Sequence, residues 1–353
     1  MKIIHILNDI QEIGNGIVNV AVDIACLQAK NGHNVAVASN GGEYEILLNK
    51  YGVKHYHLNQ KRTPFNILKA GIIYRQMIKN FQPDIVHAHM ITGMILASTL
   101  RIGNSYGLVS TVHNEFQRQS ILMGKADRVI SVSEAVAQSM EKRGVSAQKL
   151  RVICNGTLGS PRNPIESESQ HIQLSHPAIV TVAGMYQRKG IAVLIEAFEK
   201  IANLVPQAHL YLVGNGPDKE LFEAQAKQVS SASRIHFEGY QPQPQRYLNS
   251  CEIFVLASFR DPCPLVLSEA RQAGSAIIAT DVDGIPEALD YGEAGLLLPP
   301  KDSEALANML MRLLNDSNKL REWKNRACQN LKRLNVNRVC QETLEVYQEL
   351  KKG

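Results

Sequence analysis

The chain has 353 residues, 44% of them hydrophobic, which suits two buried cores better than one. Its six cysteines (Cys26, Cys154, Cys251, Cys263, Cys328, Cys340) form no Cys-x-x-Cys pair, which argues against a zinc or disulfide framework. The net charge is +5, no run approaches the roughly 18 apolar residues of a membrane helix, and the apolar stretch after Met1 is too short for a secretory signal, so a cytoplasmic protein is expected.

Strand-length apolar runs alternate with helical patterns along the chain. The first set predicts strands at 3–7, 35–39, 85–88, 108–113, 129–133 and 152–155, with helices at 18–30, 65–80 and 134–142. Residues 157–177 are rich in Pro, Ser and polar side chains and break the pattern. The second set predicts strands at 179–183, 210–213, 235–238, 253–257, 276–279 and 295–298. Its helices fall at 192–203, 219–229, 265–273, 303–315 and from about 319 onward. This alternation predicts an α/β fold with parallel sheets covered on both faces. Two Rossmann-like domains follow, 1–160 and 161–335, with a helix over 336–353 that is a candidate for packing back on the first. Such domains leave a central cleft faced by the loops at the carboxyl ends of the strands. A substrate closed there is shielded from water.

Charge is uneven. Residues 1–160 hold 17 Lys+Arg against 10 Asp+Glu, and the remainder holds 21 against 23. A basic first half suits an anionic partner or an anionic membrane face, and equally an ordinary soluble surface. Nucleic acid is not expected, because the basic residues are scattered and not interleaved with aromatics. Lys61, Arg62, Lys69, Arg75 and Lys79 flank a helix carrying Phe65, Ile67, Leu68, Ile72, Ile73, Met77 and Ile78. Most of that apolar stripe is expected to pack on the sheet, with the basic residues left for an anionic surface.

The strand-end loops carry the chemistry. Gly14, Asn15 and Gly16 precede the first helix, where glycine lets backbone approach a ligand and exposes helix N–H groups. The dinucleotide fingerprint is absent: position 19 is Asn, and no acidic residue closes the second strand. His87, His89 and His113 lie at or near the ends of two predicted strands. His113 is the best candidate for chemistry, although a strand-end histidine also serves structure alone. His87 and His89 are read as falling on alternate sides of their strand, so no shared chelate face is expected. After the strand ending at Gly184, Arg188 and Lys189 precede a helix and suit a diphosphate, or else form an exposed basic turn. Residues 213–218 (VGNGPD), with Gly214, are partly plain turn chemistry. In residues 258–271 (SFRDPCPLVLSEAR), Asp261 sits on a loop and Glu269 about a turn inside a helix. A helix N-terminus attracts phosphate, and a carboxylate accepts hydrogen bonds from sugar or ribose hydroxyls. Residues 280–287 (TDVDGIPE) add a further glycine loop. One such loop proves little; several in one chain converge on a sugar nucleotide.

Over nearly its whole length this set of motifs resembles family 4 (group 1) glycosyltransferases. These are retaining, nucleotide-sugar-dependent enzymes of the GT-B fold. The resemblance implies donor binding by the C-terminal domain and acceptor binding by the N-terminal one. It implies that Glu269 holds the ribose hydroxyls, that Lys189 and Arg188 bind the diphosphate, and that Gly16 lets the first loop approach it. Gly214, Cys263, Leu265 and Val266 would complete the donor site. His113, Lys189 and Asp261 would form the catalytic set, with Asp261 near the donor sugar. No metal or other cofactor is implied. The implied reaction moves a hexose-type sugar from a UDP- or GDP-sugar to a hydroxyl of a saccharide or lipid-linked acceptor. The implied setting is surface polysaccharide, lipopolysaccharide or glycolipid synthesis, with peripheral contact at the inner membrane face. Three departures stand out: Asp261 where Glu is usual, Pro262 and Pro264 where glycines are common, and Met185 where a basic residue is usual. A non-catalytic sugar-nucleotide binder, or a nucleotide-sugar epimerase or dehydrogenase, remains the alternative.

Overall fold

The computed structural model describes residues 1–61, 63–101, 105–163 and 170–351. Arg62 and residues 164–169 of the expected boundary segment therefore lie outside the described residues. The chain divides into two compact units, Met1–Arg162 with Asn335–Gly353, and Asn163–Leu334. The first unit runs β1 (Lys2–Ile6), α1 (Gly16–Lys30), β2 (Asn34–Ser39), α2 (Glu45–Lys50), β3 (Lys54–His57) and α3 (Pro64–Phe81). It continues with β4 (Ile85–Ala88), α4 (Ile91–Thr99), β5 (Gly107–Val112), β6 (Arg128–Ser131), α5 (Glu134–Lys142) and β7 (Leu150–Val152). The second unit begins with β8 (Ala178–Val182), α6 (Ile191–Ala202), β9 (His209–Val213), α7 (Lys219–Lys227), β10 (Ile235–Gly239) and α8 (Gln245–Leu248). It ends with β11 (Ile253–Leu256), α9 (Leu265–Ala273), β12 (Ala276–Thr280), α10 (Ile285–Ala288), β13 (Leu296–Leu298), α11 (Ser303–Leu314) and α12 (Ser317–Ala327). Finally α13 (Val336–Glu349) returns to the first unit.

Both sheets are parallel, in the orders β3-β2-β1-β4-β5-β6-β7 and β10-β9-β8-β11-β12-β13. Strand order reverses between β1 and β4 and between β8 and β11, so loops leaving their carboxyl ends splay apart there. Central strands are buried on both faces, which is why β11 reads as an unbroken apolar run and β4 as one interrupted only by His87. In the second unit Leu194, Phe198 and Phe222 fill one side of the sheet, and Tyr247, Leu267 and Ile285 the other.

α13 is held to the first unit by charge as well as packing. Glu349 accepts from Arg128 Nε at 2.7 Å and from Arg151 Nη2 at 2.6 Å. Those hydrogen bonds, Arg151's first, hold its carboxyl down at about 2. Asp23, buried in α1, takes Arg162 at 2.9 and 3.0 Å and Ser160 at 2.7 Å. Burial pushes that carboxyl up, against the pull of the guanidinium.

Three expectations need correction. The first sheet has seven strands, because edge strand β3 (KHYH) pairs through its backbone and lacks an apolar run. The helical stretch expected from about 319 onward is not continuous: α12, capped by Asp316, ends at Ala327, and α13, capped by Asn335, lies within the separate helix expected over 336–353. The apolar stripe of α3 does not lie mostly on the sheet: Phe65, Ile67, Leu68 and Ile72 are 58–76% exposed. The buried face is Ala70, Tyr74, Met77, Ile78 and Phe81, spaced i, i+4, i+7, i+8, i+11. Phe65, Leu68 and Ile72 fall on the opposite side of the helix, and Ile67 sits in the first turn, where the core does not reach. Among the described residues no helix is long and apolar enough to cross a membrane.

Candidate functional site

In the second unit the expected site residues cluster where loops leave β8, β9 and β11. The chain turns after β8 through Gly184 and a short 3-10 turn, Gln187–Lys189, into α6. Gly190 has φ 67°, and a Cβ there would lie 1.9 Å from the Ala257 carbonyl oxygen. Gly214 has φ 137°, and a Cβ there would lie 2.0 Å from the Ala183 oxygen. Only glycine lets these neighbouring loops press together. That approach brings Lys189 Nζ to 2.5 Å from Asp261 Oδ2, with both side chains largely buried. Ser258 Oγ also donates to Asp261, at 3.4 Å. Arg188 is exposed, donates to the Arg260 carbonyl at 3.4 Å, and stacks over Tyr186.

Asp283, a residue not singled out from the sequence, positions the Asp261 loop. Its carboxylate accepts from Asp261 N at 2.8 Å and from Arg260 Nε at 2.9 Å. The TDVDGIPE segment was legible only as a glycine loop, with nothing to say which acid mattered. Pro264 caps α9 without a side-chain hydrogen bond, and Gly190 likewise leaves α6 without one. By contrast α11 and α12 are capped by Asp302 and Asp316. Helix ends without such caps keep first-turn N–H groups and the positive dipole end for an anionic ligand. Cys263, Leu265, Val266 and Glu269 are half-buried around the start of α9, Glu269 one turn in. Met185 is wholly buried in the core, so the cations of its turn are Arg188 and Lys189.

Gly16 and His113 belong to the first unit. Gly16 is the first residue of α1, whose N-cap Asn15 accepts from Ile17 N at 3.1 Å. His113 follows β5, partly exposed, at the end of a buried histidine chain. The expectation that His87 and His89 diverge is wrong. Residues i and i+2 of a strand share a face, and the two rings stack 4.2 Å apart. His5 joins them because β1 pairs with β4 in a register that sets His5 opposite His87.

His5 Nδ1 lies 2.9 Å from His89 Nε2, and His89 Nδ1 lies 3.2 Å from His113 Nε2. His5 Nε2 donates to Gln28 Oε1 at 2.8 Å. His87 bridges Tyr347 OH at 2.5 Å and Thr111 Oγ1 at 2.7 Å. Nitrogens of His5, His87 and His89 lie within 4.8 Å of one another, a spacing a metal ion can use. All six of those ring nitrogens already have hydrogen-bond partners, which an ion would have to displace. Burial lowers the basicity of every ring: His5 to about 4, His113 to about 3, and His87 and His89 well below the usual histidine range. The cluster is therefore neutral at neutral pH.

Residues 163–330 match the family model for group 1 glycosyl transferases, and residues 14–157 match that for glycosyltransferase family 4. The chain is similar to N,N'-diacetylbacillosaminyl-diphospho-undecaprenol α-1,3-N-acetylgalactosaminyltransferase of Campylobacter jejuni. The two are 25% identical over 338 residues, spanning 86% of this chain and 88% of the relative. Lipopolysaccharide core biosynthesis glycosyltransferase LpsD of Rhizobium meliloti is 22% identical over 241 residues, 68% of each chain. The structure of Anabaena HepE in complex with UDP-glucose shares the fold, with TM-score 0.83 and 19% identity over 99% of this chain and 100% of that one.

Proposed function

We propose that this chain, which belongs to the group 1, family 4 glycosyltransferases, is a retaining enzyme that moves a hexose-type sugar from a UDP- or GDP-sugar to an acceptor hydroxyl. The observation that carries this reading is the Lys189–Asp261 pair, 2.5 Å apart between the loops after β8 and β11, beside α6 and α9. It joins a cation fit for a diphosphate to a carboxylate fit for sugar hydroxyls. A bound diphosphate competes with Asp261 for Lys189 and frees Asp261 for the sugar. Glu269 accepts from the ribose hydroxyls.

The bond from the anomeric carbon to the diphosphate oxygen breaks, and the diphosphate leaves with the electron pair. Lys189, Arg188 and the helix N-termini meet the charge that develops, which is where fixed electrostatics contributes most. The acceptor oxygen bonds to the anomeric carbon from the face the diphosphate leaves. Its proton passes to a phosphate oxygen, and His113 is assigned to a hydroxyl of the sugar or the acceptor. No metal is assigned to this step.

The names of the relatives support surface-glycan assembly as the setting. One acts on a diphospho-undecaprenol-linked sugar and the other in lipopolysaccharide core biosynthesis. An anionic lipid surface fits α3, where exposed Phe65, Ile67, Leu68 and Ile72 neighbour exposed Lys61, Lys69, Arg75 and Lys79. The epimerase and non-catalytic alternatives have less support, since both family models are of glycosyltransferases. Incubation with UDP- and GDP-sugars, followed by proton NMR of the product, tests the reading. Retention of the donor's anomeric configuration is expected. Inversion, or no transfer and no hydrolysis from any donor, overturns it.

A further inference from the structure

We propose that Gln28 fixes the tautomer of His113 through the buried chain Gln28–His5–His89–His113, so that His113 carries its proton on Nε2 and presents Nδ1 as a hydrogen-bond acceptor. The inference rests on the reading that His113 meets the transferred sugar, and it specifies what His113 offers there.

A carbonyl oxygen only accepts, so Gln28 Oε1, 2.8 Å from His5 Nε2, requires a proton on that nitrogen. A neutral imidazole has one N–H, so His5 Nδ1 is an acceptor. Its partner 2.9 Å away, His89 Nε2, must then be the donor. That leaves His89 Nδ1 as an acceptor, and His113 Nε2, 3.2 Å away, as its donor. Nδ1 of His113 is left without a proton. Among the described residues it has no hydrogen-bond partner, and His113 is partly exposed.

The source of the polarity is anchored on its other side. Gln28 Nε2 donates to Tyr347 OH at 3.4 Å, and that hydroxyl lies 2.5 Å from His87 Nδ1. Tyr347 therefore donates to His87, which donates onward to Thr111 Oγ1 at 2.7 Å. Every ring has one donor and one acceptor role, with no conflict anywhere in the network. Turning the Gln28 amide by half a turn would reverse every donor and put the proton of His113 on Nδ1. The amide of one residue on α1 thus decides which nitrogen appears at the end of β5. Burial weakens the basicity of these rings, so His113 accepts a hydrogen bond from a hydroxyl but does not take up a second proton at neutral pH. Gln28 and His5 are positioning residues in this scheme.

The test is long-range proton–nitrogen NMR of protein labelled with 15N-histidine. Among the 11 histidines, the His113 signals are assigned with His113→Asn. In the native protein, Nε2 of His113 is expected in the protonated range and Nδ1 in the unprotonated range. Gln28→Met keeps the shape but removes the amide, and His113 should then populate both tautomers. Gln28→Glu keeps an acceptor for His5 and should restore the Nε2–H form, which a purely structural role for this position would not do. Far-UV circular dichroism checks that each variant folds. If Gln28→Met does not fold, native protein and Gln28→Glu still decide. A native His113 protonated on Nδ1, or one tautomer unchanged in Gln28→Met, overturns the proposal. The measurement needs no sugar donor, so it stands apart from the catalytic reading. With the tautomers as stated, wild-type transfer by Gln28→Met would sink the role of His113 and leave the chain intact.

Discussion

Lowering the pH from 7.5 to 5.5 should destabilise the first unit far more than the second. His5 and His87 are wholly buried and His89 nearly so, and burial holds all three below the usual histidine range. In the unfolded chain each titrates near 6.5. Below that pH the unfolded chain takes up protons that the folded chain refuses, so stability rises with pH and falls on acidification. The loss begins near the unfolded value and continues down to the folded one, about 4 for His5. Between pH 7.5 and 5.5 each ring costs about 1.3 kcal/mol, and the three together about 4 kcal/mol. That is a large part of the 5–15 kcal/mol that holds a typical protein folded, taken as roughly its usual range. Urea unfolding separates the units, because the single tryptophan, Trp323, lies on α12 of the second unit. Far-UV circular dichroism should show a phase whose midpoint falls steeply as the pH is lowered, while the Trp323 fluorescence transition moves less. His87→Gln should reduce that pH dependence by about 1.3 kcal/mol, the share of one ring. A midpoint unchanged between pH 7.5 and 5.5 would refute the assignment of neutral, buried rings.

Three further outcomes follow from the same geometry. Lys189→Ala should lower kcat by more than it raises the donor KM, because the charge Lys189 meets grows in the transition state; steady-state kinetics showing only a KM change would make it a mere binder. Gly190→Ala should destabilise the second unit by at least about 1–2 kcal/mol from the positive φ alone, with more from the Ala257 oxygen 1.9 Å from the new Cβ. An unchanged Trp323 unfolding midpoint would contradict that. Anionic vesicles should co-sediment the protein at low salt through the basic residues of α3, each worth on the order of 1 kcal/mol, and release it at high salt. Ile67→Ser with Leu68→Ser should weaken that binding, and equal, negligible binding to anionic and neutral vesicles would leave a fully soluble acceptor.

The alternation of strands and helices was legible because most buried parallel strands are plain apolar runs, as at Ile253–Leu256. β3 was not, since an edge strand needs only backbone partners. Helix α4 (ITGMILAST) was missed because it is apolar nearly all round and shows no amphipathic stripe. The site loops could be read because glycines and charges at strand ends stand out locally. The histidine chain could not be assembled, because Gln28 and Tyr347 are 319 residues apart and His5 meets His87 only through the β1–β4 register. The error over His87 and His89 was one of period, not of information. The outward apolar side of α3 was hidden because a helix stripe shows which residues share a face, not how far the core beneath it extends.

Glu269, one turn into α9, is proposed to anchor the nucleotide of a sugar donor. Titration calorimetry of UDP and GDP into native protein and Glu269→Gln tests it most directly. One of the two nucleotides should bind the native protein without added metal. Glu269→Gln keeps the shape but loses the anionic acceptor, and the affinity should fall roughly tenfold to a hundredfold, the worth of hydrogen bonds to a charged group. Equal affinity in the two proteins, or no binding of either nucleotide to the native chain, would contradict it.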